Sequence, residues 1–280
     1  MVLALAAILA ATPLKVGVTL HPYYAWTRAL AQGLPLTVVP LLPADVDAGG
    51  YQPRPEDLVK FAGLDAVVIN GLGHDDFVPA MAKASGNERL KFLRPNTGIP
   101  LVPNFRGEGK NPHTFLSFSL AILQVQTLAR QLSELRPEWA ETLGKNAASY
   151  VARLKKLRHE ALLALAQAPS RRVITVHDGY TYLLRELKVT LVDVVEPAHG
   201  LVPSAQEMGS LLARARQEKV TVVLAEASFP QGLLRVLTDA GIRAEVISHV
   251  ATGDYTDECF ETDMKANVEA LVRALVPVSK

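Results

Sequence analysis

Residues 115–166 read FLSFSLAILQVQTLARQLSELRPEWAETLGKNAASYVARLKKLRHEALLALA, and this stretch decides how the rest of the chain divides. It carries no β-branched run, and only Pro137 and Gly144 interrupt its helical spacing. Its first part, to about Leu135, is one helical pattern. Pro137 suits the start of a second helix, where its missing N–H leaves no bond unmade. Glu138 and Glu141 favour the positive end of the same helix. From there to residue 166 the pattern covers ~30 residues, or ~45 Å at 1.5 Å per residue. That is longer than one small lobe is wide. A flexible linker would be rich in Gly, Ser or Pro, so the stretch reads as a rigid strut between two bodies.

Short apolar runs alternate with helical patterns on both sides of the strut. Before it come residues 15–20 (KVGVTL), 36–41 (LTVVPL), 65–69 (DAVVI) and 99–102 (IPLV). After it come 172–176 (RVITV), 189–195 (VTLVDVV), 220–225 (VTVVLA) and 243–247 (RAEVI). Continuously apolar strands separated by helices indicate parallel sheets covered on both faces. The expected fold is therefore α/β: two similar lobes with mostly parallel sheets, joined by a long rigid backbone helix, with a cleft between them. The divisions are 1–12, a remnant of an export signal; 13–136, the N-terminal lobe; 137–167, the linking helix; and 168–280, the C-terminal lobe.

Composition excludes several classes. Lys+Arg 29 against Asp+Glu 28 gives a net charge of +1, which makes no electrostatic case for nucleic-acid binding. The lone cysteine, Cys259, allows no internal disulfide and no paired-thiol zinc site. No apolar run reaches the ~18 residues of a membrane span. Residues 1–11 (MVLALAAILAA) have the length of a signal-peptide core but no charged start. Their alternative reading is a buried N-terminal segment. No Cys lies near the start, so a lipid anchor of the bacterial lipoprotein type is not expected.

Phosphate-loop, nucleophile-elbow and HExxH patterns are absent, and Gly71-Leu-Gly73 lacks the third glycine of a dinucleotide fingerprint. The histidines carry the signal instead. His21, His74 and His177 follow predicted strands, and His113 opens a helix in NPHTF. In parallel α/β folds the carboxyl ends of strands line the ligand crevice. If both lobes turn those ends inward, four imidazoles converge, and imidazole is the commonest protein ligand for zinc and suits other transition metals. Each histidine also has a plainer reading as a helix-start or loop residue bonded to backbone. His159 reads as solvated on the strut, and His199 and His249 as loop residues.

Four segments resemble one family. NPHTFLSFSLAILQVQTLARQLSELRP (111–137) is similar to a [DN]PHxWLDP motif and its following helix. VITVHDGYTYLLREL (173–187) resembles FxxHDAxxYxxxxxGL. VEPAHGLVPSAQEMGSLLARARQEKVTVVLAEASFP (195–230) and FETDMKANVEAL (260–271) resemble the two stretches that follow. In this order they resemble the metal receptors of zinc and manganese ABC importers, the cluster A-I solute-binding proteins, over nearly the whole chain. The resemblance implies two lobes, a backbone helix and one divalent metal between the lobes. It places that family's second and third ligands on His113 and His177. A histidine at the third position favours Zn2+, with Mn2+ or another divalent transition metal as the alternative.

Two departures stand out. The loop DVDAGGYQPRPED (45–57) has Gly49 where the family carries its first histidine. His21 and His74 are the candidate substitutes, and Asp47 is a possible carboxylate. For the fourth ligand, Asp254 and Glu258 are the candidates, with Cys259 beside them as a possible thiolate or a packed side chain. Glu226, at the end of VTVVLA, is placed to hold a ligating imidazole by its other nitrogen, or else to make a salt bridge between lobes. Residues 103–112 (PNFRGEGKNP) hold no metal-gathering histidine run.

The resemblance implies an exported, monomeric, non-enzymatic receptor that hands its metal to an ABC permease in the membrane. Two alternatives stay open: the same fold with a degraded site, serving as a weak binder, metal chaperone or adhesin, and a metal-dependent hydrolase using Asp75, Asp76 or Asp178 as general base.

Overall fold

The computed structural model describes residues 13–106, 109–196 and 200–277; the apolar start and His199 lie outside them. The first sheet contains β1 (Leu14–Val18), β2 (Leu36–Pro40), β3 (Ala66–Val68) and β4 (Lys91–Leu93), in the order β2-β1-β3-β4. The second contains β5 (Arg172–Thr175), β6 (Thr190–Val194), β7 (Val222–Ala225) and β8 (Arg243–Val246), in the order β6-β5-β7-β8. Every pairing is parallel. Helices α1 (His21–Leu30), α2 (Leu58–Ala62) and α3 (Phe77–Ala84) connect the first sheet, and α6 (Thr181–Glu186), α7 (Ala205–Gln217) and α8 (Gln231–Asp239) the second. The chain closes with α9 (Cys259–Leu275).

One expected strand is wrong. Residues 99–102 form no strand, because Pro100 supplies no ladder donor. The fourth strand is the three-residue KFL of β4, paired Ala66 to Lys91 and Val68 to Leu93.

Between the sheets lie α4 (Phe118–Leu135) and α5 (Ala140–Ala164), joined by a 3-10 turn at Pro137–Trp139. Ser117 caps α4 by accepting from Leu120 N at 3.2 Å. The 25 residues of α5 extend ~37 Å. Its buried side chains Leu143, Ala147, Tyr150, Val151, Leu154 and Ala161 follow helical spacing. They pack it on α4 and let it touch both α1 and α9. One apolar core therefore runs from Val16 and Val18 through Tyr150 to Leu183 and Phe260, joining the lobes. Trp26 of α1 meets the edge of Phe260 of α9 at 5.2 Å, and Tyr150 donates to Glu261 at 2.5 Å. Smaller cores around Phe61 and around Val223 fill the outer half of each lobe.

Candidate metal centre

Both sheets direct their carboxyl ends at the cleft. The order within each sheet puts a topological switch between β1 and β3 and between β5 and β7, where such folds form crevices. His74 follows β3, His177 follows β5, Glu226 follows β7 and His249 follows β8. His113 comes from the segment that enters α4. The rings of His113, His177 and His249 lie 4.7–4.8 Å apart centroid to centroid, and one ligand atom of each lies within 4.8 Å of the others. His74 completes the ring of imidazoles, 5.0 Å from His113 and 6.0 Å from His249. All four are buried, 4–6% exposed.

Each ring has a visible reason for its pose. Asn111 Oδ1 accepts from the His113 backbone N at 3.0 Å and bonds its Nδ1 at 2.9 Å. That fixes the tautomer and leaves Nε2 as a lone pair, buried with no protein partner. Burial, reinforced by the neighbouring imidazoles, holds the His113 pKa well below its ordinary value. His177 Nδ1 accepts from Gly179 N at 3.2 Å. His74 sits on a turn clamped by Asp75, whose carboxylate accepts from Thr19 Oγ1, Asn70 N and Gly71 N at 2.6–2.8 Å. His249 stands between Ser248, tied to α9 through Asn267 and Asp263, and Val250, which has φ of 61°. A β-branched residue in that left-handed region is strained.

Asp47 links the two lobes at the site. Its Oδ2 lies 2.8 Å from His249 Nδ1, and its Oδ1 lies 3.0 Å from His74 Nε2 without hydrogen-bond alignment. Burial opposes the charged carboxylate, yet the two imidazoles outweigh it and its pKa falls far below the carboxylate range. For His249, burial also opposes charge, but Asp47 overcomes it and raises the pKa.

The other sequence candidates sit elsewhere. His21 is buried, but its Nε2 donates to the Gly253 carbonyl at 2.6 Å and its ring stacks on Tyr255 at 4.0 Å, so it is not part of the cluster. Asp254 and Glu258 are exposed on the segment entering α9 and do not reach the imidazoles. The reason is that the segment before α9 lies along the first lobe instead of dipping into the cleft. Cys259 points its thiol at the His21 carbonyl at 3.5 Å, and burial pushes its pKa up to about 11, away from thiolate. Glu226 accepts from Tyr180 Oη at 2.8 Å and stands 3.7 Å from His177 Nδ1, beyond hydrogen-bond reach. His249, read from sequence as a loop residue, is the member that reading missed. The signal was there: it follows the last strand just as His177 follows β5.

Gly49 has a structural counterpart. A Cβ there would lie 3.4 Å from Asp47 Oδ1 and 3.6 Å from His74 Cε1, ordinary contact distances, so a side chain at 49 would emerge beside the His74 ring. A cavity of about 200 Å³ reaches the cluster past Arg106, Asp178 and Glu196 on the His113–His177 side. Asp75 is fully engaged in its turn, and Asp178 accepts from Phe105 N and Thr181 Oγ1.

Two four-stranded parallel lobes, a helical strut and imidazoles converging in the cleft define a two-lobed receptor fold with a candidate metal centre. Residues 16–274 match the family model described as ZnuA, zinc-uptake complex component A, periplasmic, and the chain belongs to that family. The chain is 24% identical over 276 residues to the zinc-binding lipoprotein AdcA of Streptococcus pneumoniae strain R6, covering 92% of this chain and 55% of AdcA. It therefore spans about half the length of that relative. It is 24% identical over 249 residues to the high-affinity zinc uptake system protein ZnuA of Bacillus subtilis, covering 84% of this chain and 78% of ZnuA. Among solved structures, the SBP FpvC of Pseudomonas aeruginosa in complex with Mn2+ superposes with a TM-score of 0.87. It is 38% identical, covering 94% of this chain and 98% of FpvC. A second FpvC structure holds a Ni2+ ion, with a TM-score of 0.86.

Proposed function

We propose that this chain is an extracytoplasmic receptor that captures one divalent first-row transition-metal ion between its lobes and delivers it to an ABC importer. It acts without enzymatic turnover. The observation that carries the reading is the buried, unpartnered Nε2 of His113 facing the imidazoles of His177 and His249. An apolar pocket would not strand such a lone pair, because a buried unsatisfied polar atom costs about 1–3 kcal/mol. His74 takes the place of a ligand at position 49, and Asp47 holds His249 by Nδ1 so that the opposite nitrogen faces the ion. The family match favours zinc as cargo. No helix among the described residues is long and apolar enough to cross a membrane.

A second reading of the cargo has its own support. Four imidazoles beside a carboxylate exceed the four donors that zinc requires. A larger set suits ions that prefer five or six ligands, such as Mn2+ and Ni2+, the ions held by the FpvC structures. We read the site as zinc-binding and tolerant of these ions. Against the degraded-site alternative speaks His74, which stands beside Gly49 where the resemblance lacks a ligand. Competitive titration of the apo protein with Zn2+, Mn2+ and Ni2+ tests the reading. One tight ion per chain is expected, weakened more than about a hundredfold by His113→Ala, a larger loss than removing a supporting residue gives. Imidazoles ligate only when neutral, so affinity should fall as the pH drops below about 6. Micromolar or weaker binding, indifferent to His113→Ala and to pH, would sink the proposal.

A further inference from the structure

His249 is the last residue before a strap, residues 250–257, that leaves the second lobe and lies along the first. Gly253 N donates to Ala44 O at 2.8 Å, and Tyr255 Oη donates to Leu42 O at 3.3 Å. Arg28 pairs with Asp257 at 2.8 Å and 3.2 Å. All of these partners belong to the first lobe. The most buried of the attachments is His21. Its ring lies nearly parallel to Tyr255, 6° between planes, and its Nε2 donates to Gly253 O at 2.6 Å. Its Nδ1 is buried with no hydrogen-bond partner.

An imidazole buried with one nitrogen unsatisfied is a poor choice for packing alone, since an apolar ring would stack on Tyr255 without stranding a polar atom. What the imidazole supplies is the N–H to Gly253. That carbonyl is four residues beyond His249, and no other bond among the described residues fixes it. Asp47, which meets His249, stands three residues beyond Ala44 on the loop that receives the strap. The strap's docking and the pose of His249 are thus two ends of one short lever.

We propose that His21 is a positioning residue for the metal centre: by anchoring the strap to the first lobe at Gly253 it holds His249 against Asp47 and sets how fast the ion leaves. This rests on the receptor reading above. The ion does not touch His21, so the effect falls on dissociation and not on capture.

The test measures Zn2+ association and chelator-driven Zn2+ dissociation by stopped flow for the full chain, His21→Ala and His21→Gln, with hydrogen exchange at Gly253. His21→Ala should speed dissociation about tenfold, the scale of one lost buried hydrogen bond, and leave association within about twofold. His21→Gln carries an amide N–H on a side chain of similar reach and should recover most of the loss. Unchanged dissociation in His21→Ala would overturn the proposal, as would equal losses in both variants, which would mean ring packing alone. Should His21→Ala fail to fold, Tyr255→Phe removes only the strap's hydroxyl bond and should speed dissociation about threefold; no change there also overturns it. If the unmodified chain binds no zinc, the receptor reading falls, while faster exchange at Gly253 in His21→Ala still decides whether His21 anchors the strap.

Discussion

The segment that carries His113 and the segment that carries His249 each cross from their own lobe to the other, and they are held by different physics. Residues 102–106 and 109–111 lie on the second lobe through a dense set of bonds. Val102 N donates to Tyr182 Oη at 3.1 Å, which donates to Asn111 O at 2.8 Å. Asn111 Nδ2 donates to Asp178 O at 3.0 Å, Phe105 N donates to the Asp178 carboxylate at 2.5 Å, and Arg106 pairs with buried Asp193. The strap after His249 has the buried His21 anchor with its ring stack, the single bonds of Gly253 N to Ala44 O and Tyr255 Oη to Leu42 O, and the Arg28–Asp257 pair, whose side chains are 41% and 47% exposed. Exposed pairs contribute little. In the receptor reading proposed above, the first arm would present a ligand set before the ion arrives and the second one held by a charge next to a strained residue, so release should run through His249.

That difference can be broken from either side. Asp47→Ala removes the carboxylate that meets both His74 and His249, so metal affinity should fall about a hundredfold, the upper end for a residue that orients ligands. Asn111→Ala removes a neutral acceptor from His113, and its loss should stay near tenfold, the lower end. The two values come from the same zinc titration. If Asn111→Ala cost more than Asp47→Ala, the assignment of the movable ligand to the second arm would be wrong.

Gly179 sharpens the comparison, because it stands against His249 of the second arm and next to Asp178, on which the first arm rests. A Cβ there would stand 2.7 Å from His177 Cε1 and 3.1 Å from His249 Cδ2. Neither ring can retreat far in a buried cluster. Gly179→Ala should therefore lower stability by about 1–3 kcal/mol, the cost of overpacking, and weaken zinc binding about tenfold by displacing two ligands together. Thermal melting and titration check both. A variant that melts and binds as the parent does would show that the rings have more room than their distances allow.

Much of the fold was legible because parallel strands covered on both faces must be continuously apolar, and seven such runs stand between clear helices. The eighth was not. KFL at Lys91–Leu93 is too short to announce itself, while IPLV at 99–102 looked like a strand but carries Pro100. At the site, histidines that follow a strand or open a helix pointed to His21, His74, His113 and His177, of which the structure brings the last three together and leaves His21 outside. The same rule applied to His249, set back from the end of β8 by Ile247 and Ser248. Asp254 and Glu258 were chosen for their place just before α9, yet the carboxylate beside the imidazoles is Asp47, which reaches them from the opposite lobe. Which lobe supplies a partner is a property of how the strap folds back, and no local pattern encodes that.

Val250 offers the smallest and most discriminating change. Its φ of 61° costs an L-residue on the order of 1–3 kcal/mol, and a glycine there would escape that penalty while losing about 0.5–1 kcal/mol to unfolded-state entropy. Val250 is also fully buried, so Val250→Gly gives up its apolar contacts, worth about 1.5–3 kcal/mol when a side chain of this size is completely covered. Relief and loss nearly cancel, and the net change in stability should stay within about 2 kcal/mol, a few degrees in melting temperature. Dissociation of zinc is the cleaner readout. A glycine at 250 opens a wider range of backbone angles, so His249 should sample more orientations and the ion should leave about threefold faster. The matching change on the first arm has no counterpart, since no described residue between 102 and 113 other than Gly109 has positive φ. Unaltered dissociation would mean that Asp47 and the strap alone hold His249, and that the strained backbone plays no part in release.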